Sequence, residues 1–248
     1  MSDLAEFPGG WRRASVVVAH PDDIEYGVAG AVAAWTAAGR EVSYVLVTSG
    51  EAGIDSMAPD DARTAREAEE RASAAVVGVS AIEFLGHPDG RIVEDLGLRR
   101  DLAAAIRRQR PDVVVAQYHG EHWGGTVAGP WNSADHRAVG RATMDAVGDA
   151  ANRWIFPELD EEPWAGTQWI AVAVPPADAT HAVDLEGVAE LAIDSLLAHE
   201  AYLRGLGVDD HRAYAVELLD GQATAVAPRF GGRRGVAFAV TPGPGAPS

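Results

Sequence analysis

The residues best equipped for chemistry lie in one short stretch, Val16 to Glu25, which reads V-V-V-A-H-P-D-D-I-E. Its small and β-branched apolar residues predict a buried strand. Pro21 ends that strand, because proline has no N–H to give a ladder and disfavours a helical backbone at His20. Asp22 or Asp23 can then cap a helix over Asp23 to Ala38. One imidazole and two carboxylates are thereby crowded at a strand's carboxyl end, where open α/β sheets bind ligands. A His and an Asp three residues apart can share a divalent cation, leaving the neighbouring Asp as a base. The same residues also suit a plain strand end with a capped helix and a surface histidine. The stretch alone leaves both readings open.

The elements around this stretch read as repeated strand–helix units. Val42 to Thr48 is a second strand apolar enough to be buried on both faces. The small-residue loop Ser49 to Gly53 follows it and reads as a pocket wall, because no G-K-S/T makes it a phosphate loop. A helix over Ala62 to Val77, a strand at Ala81 to Leu85, a turn at Gly86 to Gly90, a helix over Leu98 to Arg108 and a strand at Val113 to Ala116 come next. This alternation predicts an α/β fold, a three-layer, Rossmann-like, mostly parallel sheet with helices on both faces. Gln117 to Asp135 then breaks the pattern with His119, His122, Trp123, Gly124-Gly125 and Trp131. Loops of that length are usually functional. Beyond it we expect a helix over His136 to Val147 and an irregular stretch from Trp154 to Trp164. Strands at Trp169 to Val174 and His181 to Val183 should follow, then a long helix over Glu186 to Leu203. Arg212 to Leu218 fits a strand or a helix. No repeat or linker divides the chain, so residues 1–248 read as one domain, with 1–10 and 240–248 as loose ends.

The bulk properties narrow the partners. The 248-residue chain has a net charge of −17, is 47% hydrophobic and contains no cysteine. With no basic field to offset that charge, nucleic acid and anionic membrane are disfavoured. The absence of cysteine removes disulfides, thiolate metal sites and cysteine nucleophiles. The N-terminus has neither a basic lead-in nor a long apolar run, so no signal peptide or span is expected, and a cytoplasmic location follows by default. A dinucleotide-binding enzyme is disfavoured as well. No G-x-G-x-x-G follows the first strand, and the carboxylates in that turn would repel a pyrophosphate.

Taken with Asp135-His136, the A-H-P-D-D-I-E stretch resembles the LmbE-like/PIG-L family of zinc-dependent de-N-acetylases. Further motifs of the family match in order: Arg66, Glu69 and Gly78 on one helix; Gly86 with Pro88-Asp89-Gly90; S-A-D-H-R-A-V-G from Ser133 to Gly140; and, more faintly, His199. The resemblance implies zinc, or another divalent metal such as Fe2+, on His20, Asp23 and His136. Asp22 would be the general base and Asp135 an orienting or catalytic carboxylate. Arg66, Asp89, Ser133 and His199 would fall at substrate-contacting positions, and Trp123, Trp131 and Trp154 are candidate pocket walls that could stack on a sugar ring. The implied substrate is a small-molecule N-acylated amino-sugar conjugate, and a homo-oligomer stays open. The chain departs from the family at Ser133, where a histidine is usual. A neutral hydroxyl cannot act as a charged donor there, which leaves two readings: His122, or failing that His119, reaches the open face of the metal, or the amidase activity is lost and the protein only binds metal or sugar. The W-N-x-x-D-H-R form around Ser133 resembles a subgroup of the family.

Overall fold

The computed structural model describes residues 3–123 and 129–247. At its centre is an eight-stranded sheet in the order β1-β7-β8-β6-β5-β2-β3-β4. In chain order the strands are β1 (Ala5–Glu6), β2 (Arg13–Val18), β3 (Glu41–Leu46), β4 (Ala81–Phe84), β5 (Val113–Ala116), β6 (Trp169–Ala173), β7 (His181–Asp184) and β8 (Gly235–Pro242). All neighbours are parallel except β8, which runs antiparallel to both β6 and β7. The helices are α1 (Asp23–Gly27), α2 (Ala29–Ala37), α3 (Pro59–Val76), α4 (Leu96–Gln109), α5 (Ala134–Ala151), α6 (Ala189–Leu197), α7 (Glu200–Gly205) and α8 (His211–Val226). Among the described residues, no helix is long and apolar enough to cross a membrane.

Strand alternation explains why the central strands are apolar throughout. Val16 and Val18 of β2 join Tyr44, Leu46, Val113 and Val115 in a core shared with Trp35 of α2. Val17 joins Val45 and Val114 on the opposite face, against Leu102 and Ile106 of α4 and Val139 of α5. Each strand therefore buries both of its faces, as parallel sheets must. On one flank Trp11, Trp35, Phe7 and Phe238 interlock, with the Trp11 and Trp35 rings edge-to-face at 5.3 Å. From β2 the chain proceeds outward to β3 and β4, then returns to place β5 on the other side of β2. The resulting switch point opens a crevice between the carboxyl ends of β2 and β5. His20 follows the first of these strands and the loop at 117–133 follows the second.

Several sequence expectations need correction. The helix expected over Asp23 to Ala38 is two helices, broken at Val28 (φ −130°, ψ −2°). The helix expected over Glu186 to Leu203 breaks at His199 (φ −84°, ψ 53°), and the Glu69 side chain of α3 receives the Ala201 N–H at the start of α7. Arg212 to Leu218 is helical, inside α8, which Asp210 caps by accepting from the Ala213 N–H at 2.9 Å. The described residues near both ends are tied to the sheet. Leu4 N–H donates to Arg229 at 2.7 Å, and β1 pairs with β7. At the other end, Gly243 and Gly245 N–H donate to Gln168 and Thr167 at 2.8 Å each. A Cβ on Gly243 would come within 2.4 Å of the Thr167 carbonyl oxygen, so only glycine allows that approach.

Candidate metal centre and active site

The turn after β2 is built to hold its side chains inward. Asp22 adopts φ 101°, unusual for a residue with a Cβ, and its N–H points at Glu70 Oε2, 3.3 Å away on α3. Asp23 opens α1 and accepts from the His20 N–H at 2.8 Å. His136 comes from the first turn of α5, whose N-terminus Ser133 caps by accepting the His136 N–H at 3.0 Å.

These elements bring His20, Asp23 and His136 together. His20 Nδ1 lies 3.2 Å from His136 Nε2, and Asp23 offers one oxygen at 3.3 Å from the first nitrogen and the other at 3.0 Å from the second. The outer nitrogens are both engaged. His20 Nε2 faces Asp89 at 3.1 Å and Asp135 at 3.4 Å, while His136 Nδ1 lies 2.9 Å from Asn132 Oδ1. Such partners fix ring orientation in metal sites. With the outer positions taken, the inner nitrogens face each other beside a carboxylate, a set that one shared cation satisfies better than one proton. Two imidazoles and a carboxylate with an open side match a catalytic divalent-metal site.

The local electrostatics agree with this donor set. Burial resists charge on Asp23, but His136 and His20 outweigh it and hold the carboxyl well below the usual range. Burial would lower His20, yet Asp23, Asp135 and Asp89 raise it well above its ordinary value. Asp22 is different: burial lifts it to about 6, against the pull of Arg66. Arg66 Nη2 sits 3.1 Å from Asp22 Oδ1, and both side chains are nearly inaccessible. The same guanidinium donates to the carbonyls of Pro21 and Gly50 and lies over the Tyr202 ring at 4.3 Å. Tyr202 in turn hydrogen-bonds Asp22.

A cavity of about 640 Å³ opens over these groups, and His20, Asp22, Asp23, Arg66, Asp89 and His136 all line it. Trp123 lines it too, its ring edge-to-face with His136 at 5.6 Å and stacked on Tyr118 at 5.4 Å. Asp135 lies behind His20, accepting from the Gly90 and Ile92 N–H groups at 2.7 and 3.1 Å.

Other predicted residues are placed elsewhere. His122 Nδ1 is 2.8 Å from the Gly129 carbonyl and its ring abuts Trp131, while His119 Nδ1 is 3.2 Å from the Gln117 carbonyl. Neither lines the cavity. Gly124-Gly125 lie outside the described residues. Trp131 is 60% exposed beneath Arg137, and Trp154 is 79% exposed. Ser133 serves as a helix cap. His199 is fully buried behind the site, 3.3 Å from Glu25 and 3.8 Å from Glu70. Packing across the fold places His199, whereas His119, His122 and Ser133 bond to partners within their own segment. Two participants were missed: Asn132, whose only signal is its place four residues before His136, and Tyr202, which has none because the fold alone brings it to Asp22.

The chain is similar to known proteins in both sequence and fold. The model of the PIG-L family, GlcNAc-PI de-N-acetylase, matches residues 15–147. Diacetylchitobiose deacetylase of Thermococcus kodakarensis is 28% identical over 134 residues, 52% of this chain and 46% of that protein. 1D-myo-inositol 2-acetamido-2-deoxy-alpha-D-glucopyranoside deacetylase of Thermobifida fusca is 30% identical over 193 residues, 66% of this chain and 63% of that one. The chain thus spans only about half to two-thirds of the length of these curated relatives. In fold it is similar to N,N'-diacetylchitobiose deacetylase from Pyrococcus horikoshii, with a TM-score of 0.80 at 24% identity over 94% of this chain and 84% of that one. With more than half of its length matched by the family model and the H-P-D-D turn and Asp135-His136 both inside that match, the chain belongs to the PIG-L family.

Proposed function

We propose that this protein is a metal-dependent hydrolase that removes an N-acyl group from an amino-sugar conjugate. The observation that carries the reading is the convergence of His20 Nδ1, His136 Nε2 and the Asp23 carboxylate beside the buried carboxyl of Asp22, all in one cavity. A divalent cation held by those three residues, zinc or Fe2+, would polarise the amide carbonyl and lower the pKa of water. Asp22 then takes a proton from the attacking water. As the C–N bond breaks, Asp22 returns that proton to the departing nitrogen, leaving a carboxylic acid, which then ionises to solvent, and a free amine. Arg66 and Tyr202 hold Asp22 in place. Asp89 and Trp123 line the cavity where a sugar's hydroxyls and its apolar face would lie. In this reading the W-N-x-x-D-H-R form has a purpose, since its Asn orients the His that follows. Asn132→Ala should lower metal affinity by about 10–100-fold while leaving the fold intact. Competition with a chromogenic chelator measures that loss, and an unchanged affinity would remove Asn132 from the role.

A second reading, a metal- or sugar-binding protein without catalysis, draws on one observation. Among the described residues no histidine other than His20 and His136 lines the cavity, so no third imidazole is at hand as an acid. Primary-amine release from N-acylated sugar conjugates by the zinc-loaded protein separates the two. Release that requires Asp22 supports hydrolysis, and sugar binding with no release supports the alternative.

A further inference from the structure

We infer that the amide this site cleaves carries an extended apolar acyl group, received by a second chamber that opens from the metal cavity. The inference rests on the hydrolase reading and names the substrate class for the same site.

The second chamber has a volume of about 400 Å³ and shares Tyr26, Gly27, Tyr118, Trp123, Ala173 and Gln222 with the first. Its deeper wall is hydrocarbon, supplied by Val174 and Pro176 after β6, Leu219 and Ala223 of α8, and Ala237 of β8. Among the described residues one charged residue, Glu25, touches it; its Oε1 accepts from the Ser73 hydroxyl and its Oε2 faces His199. Gly27 stands at the junction. A Cβ there would meet nothing within 4 Å, and its φ is not positive, so the missing side chain keeps a passage open rather than relieving the backbone.

The surroundings of the metal ligands differ between their two flanks. On the His20 side lie Asp89, Arg66 and Asp22, all polar. On the His136 side lie the stacked rings of Trp123 and Tyr118, and beyond them the apolar chamber. A trans secondary amide sends its acyl chain and its nitrogen substituent in opposite directions. With the carbonyl at the metal ligands, a hydroxylated amine part on the polar flank directs the acyl chain toward Trp123 and Tyr118. An acetyl methyl would stop short of the chamber. A chain of several methylenes would fill a space of the size that small-molecule sites use.

The test is hydrolysis by the zinc-loaded protein of glucosamine carrying N-acetyl, N-butyryl, N-hexanoyl or N-octanoyl groups, with the octyl glycoside of N-acetylglucosamine beside them. Burial of each added methylene should raise kcat/KM by roughly two- to fourfold until the chamber is full. The octyl glycoside should gain nothing over N-acetylglucosamine. Ala223→Phe, which fills the chamber, should collapse the octanoyl-to-acetyl ratio. Because Ala223 is buried, calorimetry on the unmutated protein gives an independent reading, with octanoate expected to bind at least about tenfold tighter than acetate. If N-acetyl is cleaved but rates are flat along the series, the inference fails and the hydrolase reading stands. A gain with the octyl glycoside alone overturns it in favour of an aglycone chamber. If no amide is cleaved by metal-loaded protein, the hydrolase reading falls and the inference falls with it.

Discussion

Asp22→Asn should retain its metal at the wild-type level and lose amide hydrolysis by at least about a hundredfold, the lower range for a general base. Asparagine is the informative substitution because, like aspartate, it tolerates the positive φ that this turn imposes. It keeps the shape of the side chain and can still accept from Arg66, but it cannot take a proton from water. The expectation for the neighbouring histidines is the opposite. His119 and His122 point at backbone carbonyls of their own loop, so the double variant His119→Ala, His122→Ala should lose far less than the roughly hundredfold that a general acid contributes. Steady-state kinetics with parallel metal analysis reads both. Near wild-type turnover in Asp22→Asn would remove Asp22 from the reaction, and a loss of a hundredfold in the double variant would put an imidazole back in it.

The second large effect concerns stability. Resemblance alone makes Arg66 a contact for the sugar, but its guanidinium is occupied by Asp22, two backbone carbonyls and the Tyr202 ring. Removing it strands a buried carboxylate, and breaking a buried pair from one side costs about 3–5 kcal/mol. For a chain of this length that is a fall in Tm of roughly 6–20 °C. Arg66→Ala should therefore melt early, and adding Asp22→Ala to it should recover much of the loss, because no unpaired charge is then left behind. Thermal denaturation of the two single variants and the double variant closes the cycle. An unchanged Tm in Arg66→Ala, with a raised KM, would return Arg66 to the substrate.

What could be read from the chain alone follows a physical division. The H-P-D-D turn is local: proline stops a strand, an aspartate opens a helix, and three side chains must lie together whatever else the fold does. The layered sheet was equally legible, because Val16 to Val18 and Val113 to Val115 have no polar face to offer solvent. The loop after β5 was not. Its histidines and tryptophans are the right types for a site, but which of them turn inward depends on contacts across the fold. Trp123 packs on His136, whereas Trp131 lies under Arg137 at the surface. Ser133 caps α5 and His199 is buried with Glu25, placements that motif spacing alone does not show. The helix breaks at Val28 and His199 were equally hidden, since apolar spacing continues through both.

Every role proposed for this site depends on His20, Asp23 and His136 holding one catalytic cation. The most direct measurement is a crystal structure of the zinc-loaded protein with the ion located by its anomalous scattering. A single strong peak is expected about 2.0–2.2 Å from His20 Nδ1, His136 Nε2 and an Asp23 oxygen, with Asp22 beside it and the remaining side open to the cavity. A peak held by other residues, or any one of these three side chains turned away from the ion, would contradict it.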